Sequence, residues 1–300
     1  MARVRELATM PSLGGLYARV GLGSIPGASL LGRLPLLPAS RRGAELPDER
    51  LRLAGVVADR DGVARYARVC GFTLRDELPG TYPHVMSFPL QLALMASGSF
   101  PFSPLGLVHI ADEITQHRRV GAGEPLDLEV EAVGLRPHPK GRAFTLVVRA
   151  SAGGEPVWEE AGTILRRGGG GTDAVREPGP PVPEELGAGA EWRLPGDLGR
   201  RYAAVSGDRN PIHLHPLGAR AFGFSRPIAH GMWTMARCLA QLEGRTGDAF
   251  TVAVSFRKPV LLPGRVCFAM AEHGGRIAFA LRGPGAGETP VHLRGELRPI

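Results

Sequence analysis

The stretch Tyr-Ala-Ala-Val-Ser-Gly at residues 202–207 has an earlier counterpart, Tyr-Ala-Arg-Val-Cys-Gly, at residues 66–71. Two further matches follow in the same order in both halves: residues 84–86 with residues 230–232, and residues 119–130 with residues 259–270. Each match is weak alone, but their common order predicts a duplicated unit of about 130–140 residues. The chain is therefore expected to build one substructure twice.

Each unit is predicted to hold a central helix followed by short antiparallel strands. Residues 231–243 place apolar side chains at helical spacing. Residues 85–97 are apolar nearly all round, which predicts a buried helix in which Pro89 must lie in the first turn or bend the axis. Alternating apolar runs follow at residues 126–130, 144–148 and 157–164, and again at 252–256, 266–270, 277–281 and 291–297. This pattern predicts an α+β fold.

The join between the two units is marked by composition. Residues 168–171 are all glycine, and residues 178–183 are rich in proline, which is typical of a linker. We therefore divide the chain into an N-terminal extension, a first repeat, a linker and a second repeat, at residues 1–45, 46–167, 168–190 and 191–300. The extension is expected to be a partly ordered wrap around the first repeat.

Composition excludes several classes of protein. The 300 residues are 43% hydrophobic and 22% charged, as in a globular protein, and no apolar stretch approaches the roughly 20 residues that span a bilayer. The net charge of +7 comes from scattered arginines, which argues against nucleic-acid binding but suits a small ligand that carries polyphosphate. The three cysteines (Cys70, Cys238, Cys267) predict neither disulfides nor a metal knuckle, and they favour a reducing, cytoplasmic setting.

A polar segment at residues 208–216 occurs only in the second repeat, where it lengthens the connection between the repeated hexapeptide and the central helix. Because the first repeat lacks it, the fold does not require it. It carries Asp208, Asn210 and His213, and the Asn-Pro bend can bring the carboxylate and the imidazole together on one water molecule. An ordinary turn is the alternative. The pair His213 and His215 could bind a metal, but no third ligand stands at a recognisable spacing, so we expect no metal.

The start of the second central helix is the other candidate feature. Residues 227–231 run directly into this helix, whose N-terminus offers free N–H groups and partial positive charge. Gly231 allows a ligand to approach the backbone, which suits the developing oxyanion of a thioester. His230 has a counterpart in His84, where the polar segment is missing. We therefore expect His230 to cap or pack rather than to transfer protons.

These motifs resemble the hydratase-2 motif of the MaoC-like (R)-specific enoyl-CoA hydratases, or 3-hydroxyacyl-thioester dehydratases. The resemblance is carried by residues 202–213, 223–224, 227–232, 256–260 and 263–264, and residues 100–109 look like the degenerate first half of two-repeat bacterial members. It implies a hot-dog fold, a long helix wrapped by a curved antiparallel sheet, built twice. It also implies that Asp208, Asn210 and His213 hold the catalytic water and that the Gly231 N–H binds the thioester oxygen. The first repeat would be inactive and would shape the acyl pocket.

The implied activity is reversible syn hydration of trans-2-enoyl thioesters to (3R)-hydroxyacyl thioesters, with no metal or redox cofactor. Arg257 and Lys258 are expected either to meet the phosphates of CoA or an acyl-carrier protein, or to form a solvated strand end. Leu90, Leu92, Leu94 and Met95 either line an acyl tunnel or, as we favour, belong to the core. A hot-dog thioesterase and a non-catalytic acyl-thioester-binding subunit are the rival functions. The sequence leaves the carrier, the chain length and the assembly open, a homodimer included.

Overall fold

The computed structural model describes residues 3–22, 45–168, 179–180, 186, 189–285 and 289–300. These residues form seven helices: α1 (Leu13–Leu22), α2 (Arg60–Cys70), α3 (Tyr82–Met95), α4 (Leu198–Ser206), α5 (Pro211–Leu214), α6 (Pro216–Ala221) and α7 (Gly231–Gln241). They also form eleven strands: β1 (Arg3–Glu6), β2 (Glu49–Val56), β3 (Val108–Gln116), β4 (Leu126–His138), β5 (Gly141–Ala152), β6 (Glu155–Arg167), β7 (Ala190–Leu194), β8 (Phe250–Phe256), β9 (Gly264–His273), β10 (Arg276–Arg282) and β11 (Val291–Pro299).

All eleven strands join one sheet in the order β1-β2-β4-β5-β6-β3-β8-β11-β10-β9-β7. Every neighbouring pair is antiparallel except β1 with β2. The two repeats meet at the centre, where β3 pairs with β8 from Ala111 opposite Ser255 to Gln116 opposite Phe250. Read outward from this seam, the strands of the two repeats follow matching orders. The predicted α+β duplication is therefore confirmed.

The repeated hexapeptides form equivalent helix ends. They lie in α2 and α4, and both helices terminate at a glycine in the left-handed region, Gly71 with φ 82° and Gly207 with φ 78°. A side chain at such a φ is strained, which explains why glycine ends both matched stretches. Tyr66 and Tyr202 are both fully buried, and their ring centroids lie 6.0 Å apart. The two helices therefore pack together between the repeats.

The two central helices are α3 and α7. Helix α3 is buried around most of its surface, as predicted, but it begins earlier than the pattern indicated. Pro83 therefore occupies the first turn and Pro89 lies inside the helix, where its missing N–H leaves one helical carbonyl without its usual donor. All four residues considered for an acyl tunnel belong to the buried core, as favoured from the sequence, and Leu92 and Met95 also line the central cavity.

Several elements lie outside the predicted runs. Strands β2, β3 and β7 complete the two halves of the sheet, and β1 and α1 belong to the N-terminal segment. Most of the segment assigned as a linker, residues 168–190, and residues 23–44 of the extension lie outside the described residues. No helix in the described parts of the chain is long and apolar enough to cross a bilayer. Cys70, Cys238 and Cys267 are free thiols.

Candidate active site

A cavity of about 720 Å³ lies between the two repeats. The second repeat contributes all of the predicted site residues to its lining: Asp208, Asn210, His213, Gly231, Arg257 and Lys258. The first repeat contributes residues of α3, β3 and β6. Both repeats therefore form the walls of the cavity.

The loop between α4 and α5 presents Asp208 at the cavity. The Asp208 side chain is 30% exposed, and its Oδ1 accepts a hydrogen bond from the Asn210 N–H at 3.0 Å. Asn210 caps α5: its Oδ1 accepts from the Ile212 N–H at 3.5 Å, and its Nδ2 donates to the Leu107 carbonyl of the first repeat at 3.4 Å. These bonds fix the loop and leave Asp208 Oδ2 facing the neighbouring imidazoles.

His213 lies in the short helix α5 and is 8% exposed. Its Nδ1 is 2.8 Å from the Ile228 carbonyl oxygen, and because a carbonyl can only accept, this nitrogen carries the proton. The neutral ring therefore has its lone pair on Nε2. The hydrogen bond fixes the tautomer in which Nε2 can accept a proton.

His230 stands at the N-cap of α7, but its side chain makes no capping bond. Its ring instead stacks on His213, with centroids 3.6 Å apart, and its Nε2 donates to the Asp208 carbonyl oxygen at 3.1 Å. Nε2 also lies 3.8 Å from Asp208 Oδ2. His230 thus packs, as expected, although the predicted alternative of capping is wrong. It also holds Asp208 and His213 next to each other.

Burial sets the charge states of these groups. Burial lowers the pKa of His213, and the proximity of Asp208 only partly opposes this effect. Burial and the neighbouring His213 lower the pKa of His230 to about 3. Burial alone would raise the pKa of Asp208, but His230, His213 and the Asn210 N–H together bring it below its usual value. At neutral pH the site therefore holds a carboxylate beside two neutral imidazoles.

Asp208, His213 and His230 present possible ligand atoms within 4.8 Å of one another. His230 is a third group that sequence spacing did not reveal. The pair considered from sequence is separated, because His215 caps α6 instead, accepting from the Leu217 N–H at 3.2 Å. His230 Nε2 donates its proton to the Asp208 carbonyl oxygen, so in this tautomer that nitrogen has no lone pair to offer an ion. This donor set does not fit a metal.

Gly231 opens α7 at the cavity wall. No hydrogen bond within the described residues uses its N–H, as expected for the first turn of a helix. A Cβ placed on Gly231 would lie 3.2 Å from the Phe256 ring. Glycine at this position therefore lets the aromatic ring pack closely while an amide donor remains available.

Among the residues that the structure describes, five lysines and arginines contribute to the cavity lining. Lys258 is exposed just after the end of β8. His292 holds the backbone here: its carbonyl accepts from the Arg257 N–H at 2.8 Å, and its Nδ1 donates to the Lys258 carbonyl at 3.2 Å. The other three cationic residues belong to the first repeat and were not predicted: Arg136, Lys140 and Arg167. Both repeats therefore place positive charge where an anionic carrier could bind.

Comparison with known proteins identifies the family. Residues 191–287 match the MaoC like domain. The 3-hydroxyacyl-thioester dehydratase X of Mycobacterium tuberculosis is 37% identical over 272 residues, which cover 90% of this chain and 95% of the relative. The chain belongs to the MaoC-like dehydratase family. An (R)-specific enoyl-CoA hydratase from Aeromonas caviae is 36% identical over a shorter region of 69 residues, or 22% of this chain and 52% of the relative.

The crystal structure of HtdX from Mycobacterium tuberculosis gives the same result in three dimensions. It superposes with a TM-score of 0.73 at 35% identity and covers 84% of this chain and all of the solved one. The predicted double hot-dog architecture of this MaoC-like protein is therefore confirmed.

Tyr17 is a site residue that the sequence did not reveal. Its hydroxyl donates to the Gly207 carbonyl at 3.1 Å and accepts from the Arg209 N–H at 2.7 Å, so that it brackets Asp208. Leu16, from the same helix α1, packs against Phe88 and Leu92 of α3. The N-terminal segment of this MaoC-like protein therefore contacts both repeats, rather than the first alone as expected.

The first repeat has apolar and polar parts at the cavity. Phe88, Leu92 and Met95 form an apolar wall, in keeping with the expected acyl pocket. A group of polar side chains, not anticipated from sequence, lies beside it; four are buried and His109 is half-buried: His84, Gln91, His109, Asp112 and Glu160. We call these five residues the first-repeat polar cluster.

Proposed function

We propose that this MaoC-like protein catalyses the reversible syn addition of water to trans-2-enoyl thioesters, giving (3R)-hydroxyacyl thioesters. The decisive observation is the juxtaposition of the Asp208 carboxylate with a neutral His213 whose Nε2 is the free acceptor. The activities in the names of the relatives, a 3-hydroxyacyl-thioester dehydratase and an (R)-specific enoyl-CoA hydratase, support this reaction class.

In the hydration direction, Asp208 and His213 hold one water molecule between them. His213 Nε2 removes a proton as the water oxygen bonds to C3, and the electrons of the C2–C3 double bond move onto the thioester as an enolate. The resulting imidazolium then delivers that proton to C2, which restores the neutral histidine and the thioester carbonyl. Because the water and the proton come from one side of the substrate, the addition is syn. Such general acid–base catalysis contributes about 10²–10⁴-fold.

The enolate oxygen forms beside the N-terminus of α7. The unpaired Gly231 N–H donates to it, and the partial positive charge of the helix end favours its negative charge. Asn210 positions the catalytic loop through its bonds to Ile212 and Leu107. Every step uses only side-chain and backbone groups of the protein, so we expect a metal chelator to leave the rate of hydration unchanged.

The positive charge around the cavity is the basis for a proposal about the group that carries the acyl chain. Arg257 and Lys258, together with the cationic residues of the first repeat, can bind the phosphates of CoA or of an acyl-carrier protein. We place the protein in the cytoplasm, because its three free cysteines suit a reducing compartment.

The test is a hydration assay with the purified single chain. Crotonyl-CoA and a longer enoyl-CoA should lose the absorbance of the enoyl thioester, and chiral analysis should find the (3R)-hydroxyacyl product. Release of free thiol from a saturated acyl-CoA would instead support the thioesterase alternative. Absence of any turnover would support a non-catalytic binding subunit.

A further inference from the structure

The first-repeat polar cluster is built on three neighbouring elements. His84 and Gln91 come from α3, His109 and Asp112 from β3, and Glu160 from β6, which pairs with β3. Asp112 and Glu160 are only 2% and 3% exposed, yet both line the cavity shared with Asp208. The catalytic steps proposed above use none of these residues.

The cluster retains unused hydrogen-bonding capacity. His84 Nδ1 contacts Glu160 Oε1 at 2.7 Å, and His109 Nε2 lies 3.0 Å from Asp112 Oδ2 without hydrogen-bond geometry. Within the described residues, both Asp112 oxygens, Glu160 Oε2 and His109 Nε2 make no hydrogen bond of good geometry, although a contact between the Asp112 and Glu160 carboxyl groups helps to raise the pKa of Glu160. Burial of such groups without partners costs free energy, so a polar group that enters the cavity and bonds to them would be bound more tightly.

A glycine keeps space for this arrangement. Gly162 stands opposite Asp112 in the β3–β6 pair. A Cβ at Gly162 would lie 3.0 Å from His109 Nε2 and 3.6 Å from Asp112 Oδ2. A larger residue would press on the two side chains and occupy the space beside their unpaired atoms.

The cluster adjoins both the apolar wall and the residues around Gly231. His84 and Gln91 share α3 with the wall residues Phe88, Leu92 and Met95. The His109 ring centroid is 5.3 Å from that of Phe256, the ring that packs over Gly231. A chain bound at Gly231 and running along α3 would therefore pass the cluster, and a plain alkyl chain would leave its polar atoms unpaired.

We propose that the first-repeat polar cluster recognises a hydroxyl group on the acyl chain, so that the preferred substrates are thioesters with a hydroxyl beyond the reacting C2 and C3. This inference rests on the proposed hydratase function. A hydroxyl can donate to an Asp112 or Glu160 oxygen and accept from an imidazole N–H, which satisfies both kinds of unpaired group.

The electrostatics of the cluster provide hydrogen-bond donors as well as acceptors, as a hydroxyl requires. Burial and the adjacent Asp112 carboxyl raise the pKa of Glu160 to about 7, although His84 opposes this shift. Burial lowers the pKa of His84, but Glu160 and Asp112 outweigh it and the net pKa is raised. Both shifts favour the protonated forms of His84 and Glu160, so the cluster can offer donors beside the carboxyl oxygens that accept.

The experiment compares matched enoyl-CoA pairs of equal chain length, one plain and one with a single hydroxyl placed in turn from C5 outward. For at least one position, we expect the hydroxylated member to have the higher kcat/KM by about tenfold or more, since a site built to bond a hydroxyl discriminates against its absence. This comparison uses the wild-type protein alone, so it does not depend on the folding of any variant. Equal or lower kcat/KM at every position would overturn the inference.

Variants locate the preference. Asp112→Asn with Glu160→Gln keeps the shapes but removes the carboxyl groups, and it should reduce the hydroxyl preference several-fold while plain crotonyl-CoA is still hydrated. Glu159→Gln is the matched control, because this neighbouring carboxyl on β6 is 45% exposed and should leave the preference intact. An unchanged preference in the folded double variant would place recognition elsewhere and refute the assignment. Failure of the wild type to hydrate crotonyl-CoA would instead count against the proposed function.

Discussion

The two repeats share a scaffold but differ in how they reach their central helices. In the first repeat, a short connection joins α2 to α3, whereas in the second, α5 and α6 stand between α4 and α7 and bring Asp208 and His213 to the cavity. Gly231 is replaced by Val85 at the matching position of the first repeat. The comparison teaches that the fold forms in one copy without the segment that carries the proposed catalytic groups in the other. The other copy supplies the opposite wall of the same cavity.

The largest expected effect comes from removing the groups that are unique to the second repeat. Asp208→Asn and His213→Gln should each lower kcat by about 10²–10⁴-fold, because each change removes one partner of the reacting water. Steady-state hydration of crotonyl-CoA measures the loss, and circular dichroism and Tm check that the variants fold. Turnover near the wild-type level in either folded variant would contradict the assigned roles.

Substitution at the matched helix start should have the next largest effect. Gly231→Ala should lower kcat by about 10–10²-fold. The new Cβ would lie 3.2 Å from the Phe256 ring and would displace the backbone N–H that is proposed to donate to the enolate oxygen. Val85→Ala, the matched change in the first repeat, should leave kcat unchanged. Equal losses in the two variants would show that the effect comes from packing rather than from the amide.

A smaller effect is expected at the contact between the N-terminal segment and the catalytic loop. Tyr17→Phe removes hydroxyl bonds to Gly207 and Arg209 and should lower kcat about fivefold, the equivalent of roughly 1 kcal/mol, with KM little changed. Leu16→Met, on the same helix, keeps both bonds and serves as the control. A rise in KM with kcat unchanged would contradict a role in positioning Asp208.

The smallest kinetic effect is expected at the exposed cation. Lys258→Ala should raise KM for enoyl-CoA a few-fold without changing kcat, because Lys258 is solvent-exposed and its attraction for phosphate is screened. The difference from the wild type should shrink as salt is added. A salt-independent change in kcat would assign Lys258 a different role.

The buried imidazoles also predict a pH dependence of stability. Because the pKa of His230 is lowered to about 3 in the folded state, the unfolded chain binds the extra proton first, and the free energy of unfolding should fall between about pH 6.5 and 3. His230 alone contributes about 1.4 kcal/mol per pH unit in this window. His230→Asn should lose this part of the slope in denaturant unfolding, whereas His273→Asn, at an exposed histidine, should keep it. Identical slopes in all three proteins would contradict burial of a neutral His230.

The sequence predicted those features whose parts lie close together along the chain. Asp208, Asn210 and His213 fall within one short segment, and the glycine that precedes them ends both repeated hexapeptides. The contact of His230 with Asp208 was missed because the two residues are far apart in sequence and His230 bonds to the backbone carbonyl of Asp208. The spacing of side chains along the sequence does not reveal such a bond. Tyr17 was missed for the same reason, since its partners are remote in sequence.

The first-repeat polar cluster and its strand escaped prediction for a related reason. Residues 108–116 form β3, but the buried Asp112 interrupts the apolar alternation that identifies a strand, and the register shifts between His109 and Ala111. The partner residue, Glu160, lies on a different strand and resembles an ordinary surface carboxyl in sequence. Only the sheet pairing shows that these groups are buried together.

The most direct test of the central claim, that Asp208 and His213 act on one water molecule, is a double-mutant cycle on kcat for crotonyl-CoA hydration. Residues that act as a unit have non-additive effects. We therefore predict that Asp208→Asn with His213→Gln costs no more than the more damaging single change. Losses that multiply in the folded double variant would mean that the two groups act independently, and the shared-water mechanism would be wrong.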